Sequence, residues 1–170
     1  MPPPLFQNGD LPRVEATATE MSIQHWSGVN TPVDLVLLFD FLYHVDAADR
    51  QALFQRLFTQ CVTPGGVVII IAACYGPNVG YMLLRERLGK PAKAYYDELE
   101  KEMLSAGFVL AYTQDMKGPD DFTNPSDELV KMIQIDTYNV ASEQEICAGI
   151  VDIFGSMKSH YHKKWAIFQK

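Results

Sequence analysis

Val33-Asp34-Leu35-Val36-Leu37-Leu38-Phe39-Asp40-Phe41-Leu42-Tyr43-His44 is the stretch whose reading decides the fold. The run from Val33 to Phe39, apolar but for Asp34, predicts a buried strand. It ends on a carboxylate, followed at once by aromatic residues. Asp46 stands where a helix N-cap would, its side chain suited to accept from the orphan amides of the first turn. Leu53, Phe54, Leu57, Phe58 and Cys61 then recur at helical spacing and give one apolar face. In Thr63-Pro64-Gly65-Gly66, the proline and first glycine suit the two central positions of a type II turn. Val67 to Ala73 runs on without a polar interruption, which predicts a strand covered on both faces. Open α/β sheets bind ligands just beyond the carboxyl ends of their strands, so Asp40 with its aromatic neighbours is a candidate pocket floor. No glycine-rich strand-to-helix turn precedes it.

Outward from this unit, residues 1–13 are turn-rich and read as a loose segment, and residues 14–170 as one domain. Val14 to Ala18 alternates weakly and predicts a short strand. Gly80 to Leu88 predicts a helix that Gly89 terminates, with Pro91 just beyond. Tyr96, Leu99 and Met103 mark the inner face of another helix, ended by Gly107. Phe108 to Thr113 reads as a strand, and Asp115 to Pro125 as a polar loop around Gly118-Pro119-Asp120-Asp121. Ser126 opens a helix with Leu129, Met132 and Ile133 inward. Ser142 and Glu145 form a capping box ahead of Ile146, Ile150, Ile153, Phe154 and Met157. Trp165 to Phe168 is a closing strand.

The chain has 170 residues, which suits one domain and is long enough to bury a core. Its 48% hydrophobic and 21% charged residues are those of an ordinary globular protein. A net charge of -7, with no stripe of Lys and Arg, excludes the usual nucleic-acid footprint. No run is long and apolar enough to span a membrane, and the opening residues do not read as a signal peptide. Cys61, Cys74 and Cys147 are far apart and unpaired in number, which predicts free thiols in a reducing, cytoplasmic setting.

The pattern of apolar run, Asp40-Phe41-Leu42-Tyr43, Asp46, helix, Thr63-Pro64-Gly65-Gly66 and Val67 to Ile71 resembles S-adenosylmethionine-dependent methyltransferases of Rossmann type. Among them it is most similar to histamine N-methyltransferase, through Phe41-Leu42-Tyr43-His44, the helix from Gly80 to Gly89 and the last strand. The resemblance implies that Val33 to Ala73 is the fourth strand, the next helix and the fifth strand of that fold. It also implies that the closing strand pairs antiparallel with residues 108–113. The family's first two strands and glycine-rich cofactor loop have no counterpart. The expected fold is therefore a truncated α/β, Rossmann-like sheet of parallel core strands and a C-terminal antiparallel pair, with flanking helices. The expected function is N-methylation of a small, histamine-like amine with S-adenosylmethionine as donor. The alternative is a catalytically inactive, methyltransferase-like binding or assembly module. Val33 to Phe39, apolar but for Asp34, should be central; lacking one neighbour, its edge invites self-association.

Asp40 is the leading site residue. It is placed to hold an amine and to receive the proton released as nitrogen becomes methylated. An exposed carboxylate is a weak base, so desolvation would have to strengthen it. The family has an amide there; the bland alternative is a turn-capping Asp. By resemblance, the backbone of Phe39 lies near the adenine, although its side chain reads more simply as core, and Ser22 or Thr19 approaches the same ring. Tyr43, His44 and Tyr81 match aromatic residues of the substrate pocket, and Tyr161 or His162 a polar residue facing the amine. For His44 the bland alternative is a water-exposed histidine at a helix entry. A second pocket aromatic is Arg85 here, which weakens the case for histamine. Alternating His160 and His162 suggest a metal shared with Asp40 or His44, but no second histidine pair or HExxH spacing supports it, and the reading is no metal.

Overall fold

The computed structural model describes residues 22, 25–76, 79–119, 130–131, 133–134, 141–156 and 160–170. The loose segment 1–13, the strand expected over Val14 to Ala18, Thr19, Leu129, Met132 and Met157 lie outside the described residues. The described elements are β1 (Val33–Phe39), α1 (Ala47–Arg56), β2 (Val62–Ala73), α2 (Gly80–Arg87), α3 (Tyr96–Ser105), β3 (Val109–Pro119), α4 (Glu143–Ser156) and β4 (His160–Gln169). The sheet runs β1-β2-β4-β3. β1 and β2 are parallel, and β4 is antiparallel to both β2 and β3. This is the mixed α/β architecture expected, with the closing strand paired antiparallel to residues 109–113 as anticipated.

Strand alternation puts Leu38, Val68, Ile70, Ala72, Ala166 and Phe168 on one face, where they pack with Leu53, Phe54 and Leu57 of α1 and Tyr96, Leu99 and Met103 of α3. The other face corrects the first expectation. Leu35, Leu37 and Phe39 are 49%, 52% and 47% exposed, so β1 is buried on one side only. Among the described residues β1 pairs with β2 alone and forms the edge of the sheet. Val67, Ile69 and Ile71 of β2 are likewise only half-buried, where full cover was expected.

The Pro-Gly-Gly segment lies within β2 as a bulge and does not stand before the strand as a separate turn. Val33 pairs with Val62, and Leu35 already with Val67. Gly65 takes a φ of +83°, the left-handed geometry the turn reading requires. The bulge receives the end of β4: Gly65 N–H donates to the Lys170 carbonyl (3.1 Å) and Lys170 N–H to that of Gly66 (3.0 Å).

β3 also departs from expectation, since residues 115–119 are strand and not loop. Their backbone pairs with residues 160–164 of a β4 that begins earlier than Trp165. Asp115, Lys117 and Pro119 are exposed, so this end of the sheet faces water. Pro119, which donates no hydrogen bond, sits on β3 at the edge of the sheet, where that is tolerated.

At the start of α1, Asp46 occupies the N-cap position with extended backbone, but its carboxylate caps nothing. It pairs instead with Lys93 Nζ at 2.9 Å. At α4 the capping box forms as read: Ser142 N–H donates to Glu145 Oε2 (2.8 Å) and Glu145 N–H to Ser142 Oγ (3.3 Å). The Ser142 bonds hold the Glu145 carboxyl below its ordinary range. Ile146 and Ile150 bury fully against Leu84 and Ile133 in a second cluster. Cys61, Cys74 and Cys147 are free, as expected. Among the described residues no helix is long and apolar enough to cross a membrane.

Candidate functional site

The carboxyl end of β1 is built around an unusual backbone. Asp40 has a φ of +54°, and among the described residues no other non-glycine residue has a positive φ. Aspartate tolerates this region better than most side chains, and such positions concentrate at functional sites. Asp40 N–H still donates to the Ile71 carbonyl (3.1 Å), so the strand pairing holds up to the turn. Asp40 Oδ2 accepts from Lys163 Nζ in an ion pair, and Oδ1 is buried without a hydrogen-bond partner. Both side chains are more than a third exposed, so water screens the pair and its net contribution to stability is small.

A single 3-10 turn, Leu42–His44, carries the aromatic residues inward. His44 N–H donates to the Phe41 carbonyl (2.9 Å) and Val45 N–H to that of Leu42 (3.1 Å). Tyr43 is buried, and its ring lies 4.3 Å from the half-buried His44 ring, which replaces the water-exposed histidine considered for this position. The Arg85 guanidinium sits 5.2 Å from the Tyr43 ring centroid in a cation–π contact, itself buried. Tyr81, one turn earlier on α2, is half-buried and packs on both the cluster around Leu84 and the cluster around Val79. Tyr43, His44 and Arg85 thus come together, and one face of the tyrosine is already occupied by a cation.

Alternation along β4 separates the two remaining candidates. Tyr161 shares a face with Lys163, the partner of Asp40, whereas His162 points to the opposite face. Tyr161 lies over Gly118, where an added Cβ would fall 2.5 Å from its ring. His162 Nε2 is 2.6 Å from Asp115 Oδ1, and that bond holds the Asp115 carboxyl below its ordinary range. The nearby Cys74 thiol is pushed up to about 11 by burial.

Ser22 is exposed, with Oγ 2.8 Å from His25 Nδ1. Phe39 is exposed and not the core residue its side chain suggested. Lys163 is the residue that sequence reasoning missed. Its signal was its place between Tyr161 and His162 on one side and the closing strand on the other, but only the register with β2 shows that the lysine is the one that meets Asp40. Clefts of about 310 Å³, between Leu88 and Glu145, and about 360 Å³, between Gln51 and Lys101, are lined by none of these residues.

No protein-family model matches the chain, and no curated protein matches it in sequence. Solved structures do match in shape. A methyltransferase candidate from Bacillus halodurans C-125 superposes with a TM-score of 0.61 at 9% identity, over 89% of this chain and 70% of that one. The cyclase SpnF gives 0.54 at 10% identity, over 89% of this chain and 54% of its own. A candidate sarcosine dimethylglycine methyltransferase from Galdieria sulphuraria gives 0.51 at 14% identity, over 88% and 57%. The chain thus spans little more than half the length of the last two. At such identities the likeness is one of fold, and a cyclase among the matches shows that the fold carries more than one chemistry. The described residues have the architecture of the Rossmann-type methyltransferase fold.

Proposed function

We propose that the carboxyl end of β1 binds a small, histamine-like amine as the acceptor in an S-adenosylmethionine-dependent N-methyl transfer. The observation that carries this reading is the Asp40 carboxylate, which already accepts an ammonium nitrogen, that of Lys163, and keeps a second oxygen buried and unpartnered. An amine entering here exchanges with Lys163. Asp40 orients its nitrogen and takes the proton that must leave before the lone pair can attack. S-adenosylmethionine supplies an electrophilic methyl group on a sulfonium sulfur. Most of the rate then comes from alignment of the two reactants, which the protein's side chains enforce. Tyr43, His44 and Tyr81 would frame the acceptor, with Tyr161 or His162 as the polar contact on its far side; strand alternation favours Tyr161. Arg85 over Tyr43 repels a second positive charge and so favours amines that carry only one. On the donor side, Phe39 and Ser22 are the residues proposed to meet the adenine. Among the described residues no glycine-lined turn follows β1 to cradle the rest of the donor.

That last observation, with the exposed apolar side chains of β1, favours a second reading: a methyltransferase-like binding or assembly module that associates through its sheet edge. Isothermal titration with S-adenosylmethionine separates the two. Micromolar binding is expected for the enzyme, and silence at millimolar ligand for the module. With donor binding established, Asp40→Asn is expected to weaken amine affinity about tenfold or more while donor affinity is unchanged; equal loss of both would remove Asp40 from the amine-holding role. For the module, sedimentation should show mass rising with concentration, and Leu37→Lys should abolish the rise. A compact monomer at high concentration argues against self-association.

A further inference from the structure

Cys74, just past the end of β2, Asp115 of β3 and His162 of β4 converge on the face of the sheet opposite the one that carries Lys163. The register dictates this. Ala73 pairs with Lys163, and Cys74 N–H donates to the His162 carbonyl at 2.9 Å, so Cys74 stands directly across from His162. On the other side of β4, Lys117 pairs with His162 and Asp115 with Lys164, which sets Asp115 diagonal to His162 on the same face. One ligand atom from each of the three side chains lies within 4.8 Å of the other two, and no other such trio occurs among the described residues. The alternating histidines suggested Asp40 or His44 as companions; strand alternation brings His162 to a different pair.

We propose that Cys74, Asp115 and His162 form a zinc site, independent of any methyl-transfer chemistry. Sulfur, imidazole nitrogen and carboxylate oxygen are ligands that zinc takes at about 2.3, 2.0–2.1 and 2.0–2.2 Å. A tetrahedron of that size holds its ligand atoms roughly 3.3–3.6 Å apart. The His162–Asp115 contact at 2.6 Å has only to open by under about 1 Å, while Cys74 Sγ closes in, and both are side-chain adjustments on paired strands. Cys74 is buried, His162 half-buried and Asp115 exposed. An ion therefore enters over the carboxylate and settles against the sulfur, with a fourth position facing solvent. The thiolate selects zinc over magnesium and calcium, which prefer oxygen alone. Thiolate and carboxylate together neutralise the dication. Lys117 and Lys164 stand near enough to Asp115 to act on its charge, and oppose the ion; the Lys164 ammonium lies 4.8 Å from the Tyr96 ring centroid.

The test uses the whole chain, freed of metal with a chelator, and two probes. Calorimetric titration with Zn²⁺ is expected to give one ion per chain with micromolar or tighter affinity. Titration with Co²⁺ should give a thiolate-to-cobalt charge-transfer band in the near ultraviolet and the intense visible bands of a four-coordinate ion. Cys74→Ala should abolish the charge-transfer band and weaken zinc about a hundredfold. Asp115→Asn, at an exposed position that leaves the core untouched, should weaken zinc at least about tenfold, with the far-ultraviolet circular dichroism unchanged. Absence of zinc binding at millimolar metal overturns the site. So does a cobalt spectrum without the thiolate band, or an affinity indifferent to Asp115→Asn. If Cys74→Ala does not fold, the wild-type cobalt spectrum and Asp115→Asn decide alone.

Discussion

Replacing Glu102 with alanine is expected to destabilise the protein by about 3–5 kcal/mol, the cost of stranding a buried charge. Arg50 is only 2% exposed. Its Nε donates to Glu102 Oε2 at 2.8 Å and its Nη2 to Oε1 at 2.6 Å, a two-pronged pair that fixes α1 against α3. The Glu102 side chain is 14% exposed, so water does little to screen it. Without the carboxylate, the guanidinium keeps carbonyl partners at Val45 (2.5 Å) and Lys93 (3.5 Å) but loses the acidic partner that it has among the described residues. Natural domains have only about 5–15 kcal/mol in total, so this loss should shift the urea midpoint by a large fraction of its value. Removing both charges, as Arg50→Met with Glu102→Leu, should recover most of it. A loss under about 1 kcal/mol in the single variant would show that the pair behaves as a surface bridge. The same contacts reach the site. Lys93 N–H donates to the Tyr43 carbonyl at 2.8 Å, and Val45 follows the turn that carries Tyr43 and His44. Glu102→Ala should therefore speed amide exchange at Val45 and Lys93 well before global unfolding.

Phe168→Ala should cost about 3–5 kcal/mol, while Phe39→Ala should cost less than about 1 kcal/mol. Both are strand phenylalanines in one sheet, and their surroundings differ. Phe168 is 0% exposed on β4, between Val68 of β2 and Leu110 of β3, facing the helices. Phe39 is 47% exposed on the outer face of β1. Truncating Phe168 removes its transfer free energy and leaves a cavity; truncating Phe39 does neither in full. Equilibrium denaturation of the two variants in parallel measures the difference. Equal losses would mean that the outer face of β1 is packed in solution.

Features set by local chemistry were legible in the sequence. Apolar runs announced β1 and β2, helical spacing the inner faces of α1 and α3, and the Ser142–Glu145 spacing the cap of α4. What escaped depends on partners distant along the chain. Asp40 meets Lys163 across 123 residues of separation, and nothing at either position signals the other. Asp46 had the residue type of a cap, yet Lys93 drew its carboxylate away. Residues 115–119 looked like loop because of their charges and the Gly118-Pro119 step, although neither rules out backbone pairing. At Tyr161 and His162 the chemistry was readable and the direction was not. A single step along a strand reverses the face, and only the register with β2 determines which residue looks toward Asp40.

The position of β4 has a kinetic consequence. The last strand in the chain is inserted between β2 and β3, with Val68 neighbouring Phe168 across some hundred residues. Neither β2 nor β3 can acquire its native companion on that side before residues 160–169 have left the ribosome. Closing so long a loop precedes any reward from the pairing, which places folding among slower, topologically non-local processes. During synthesis, the nascent sheet therefore exposes an additional unsatisfied border, and chaperone dependence should concentrate in that interval.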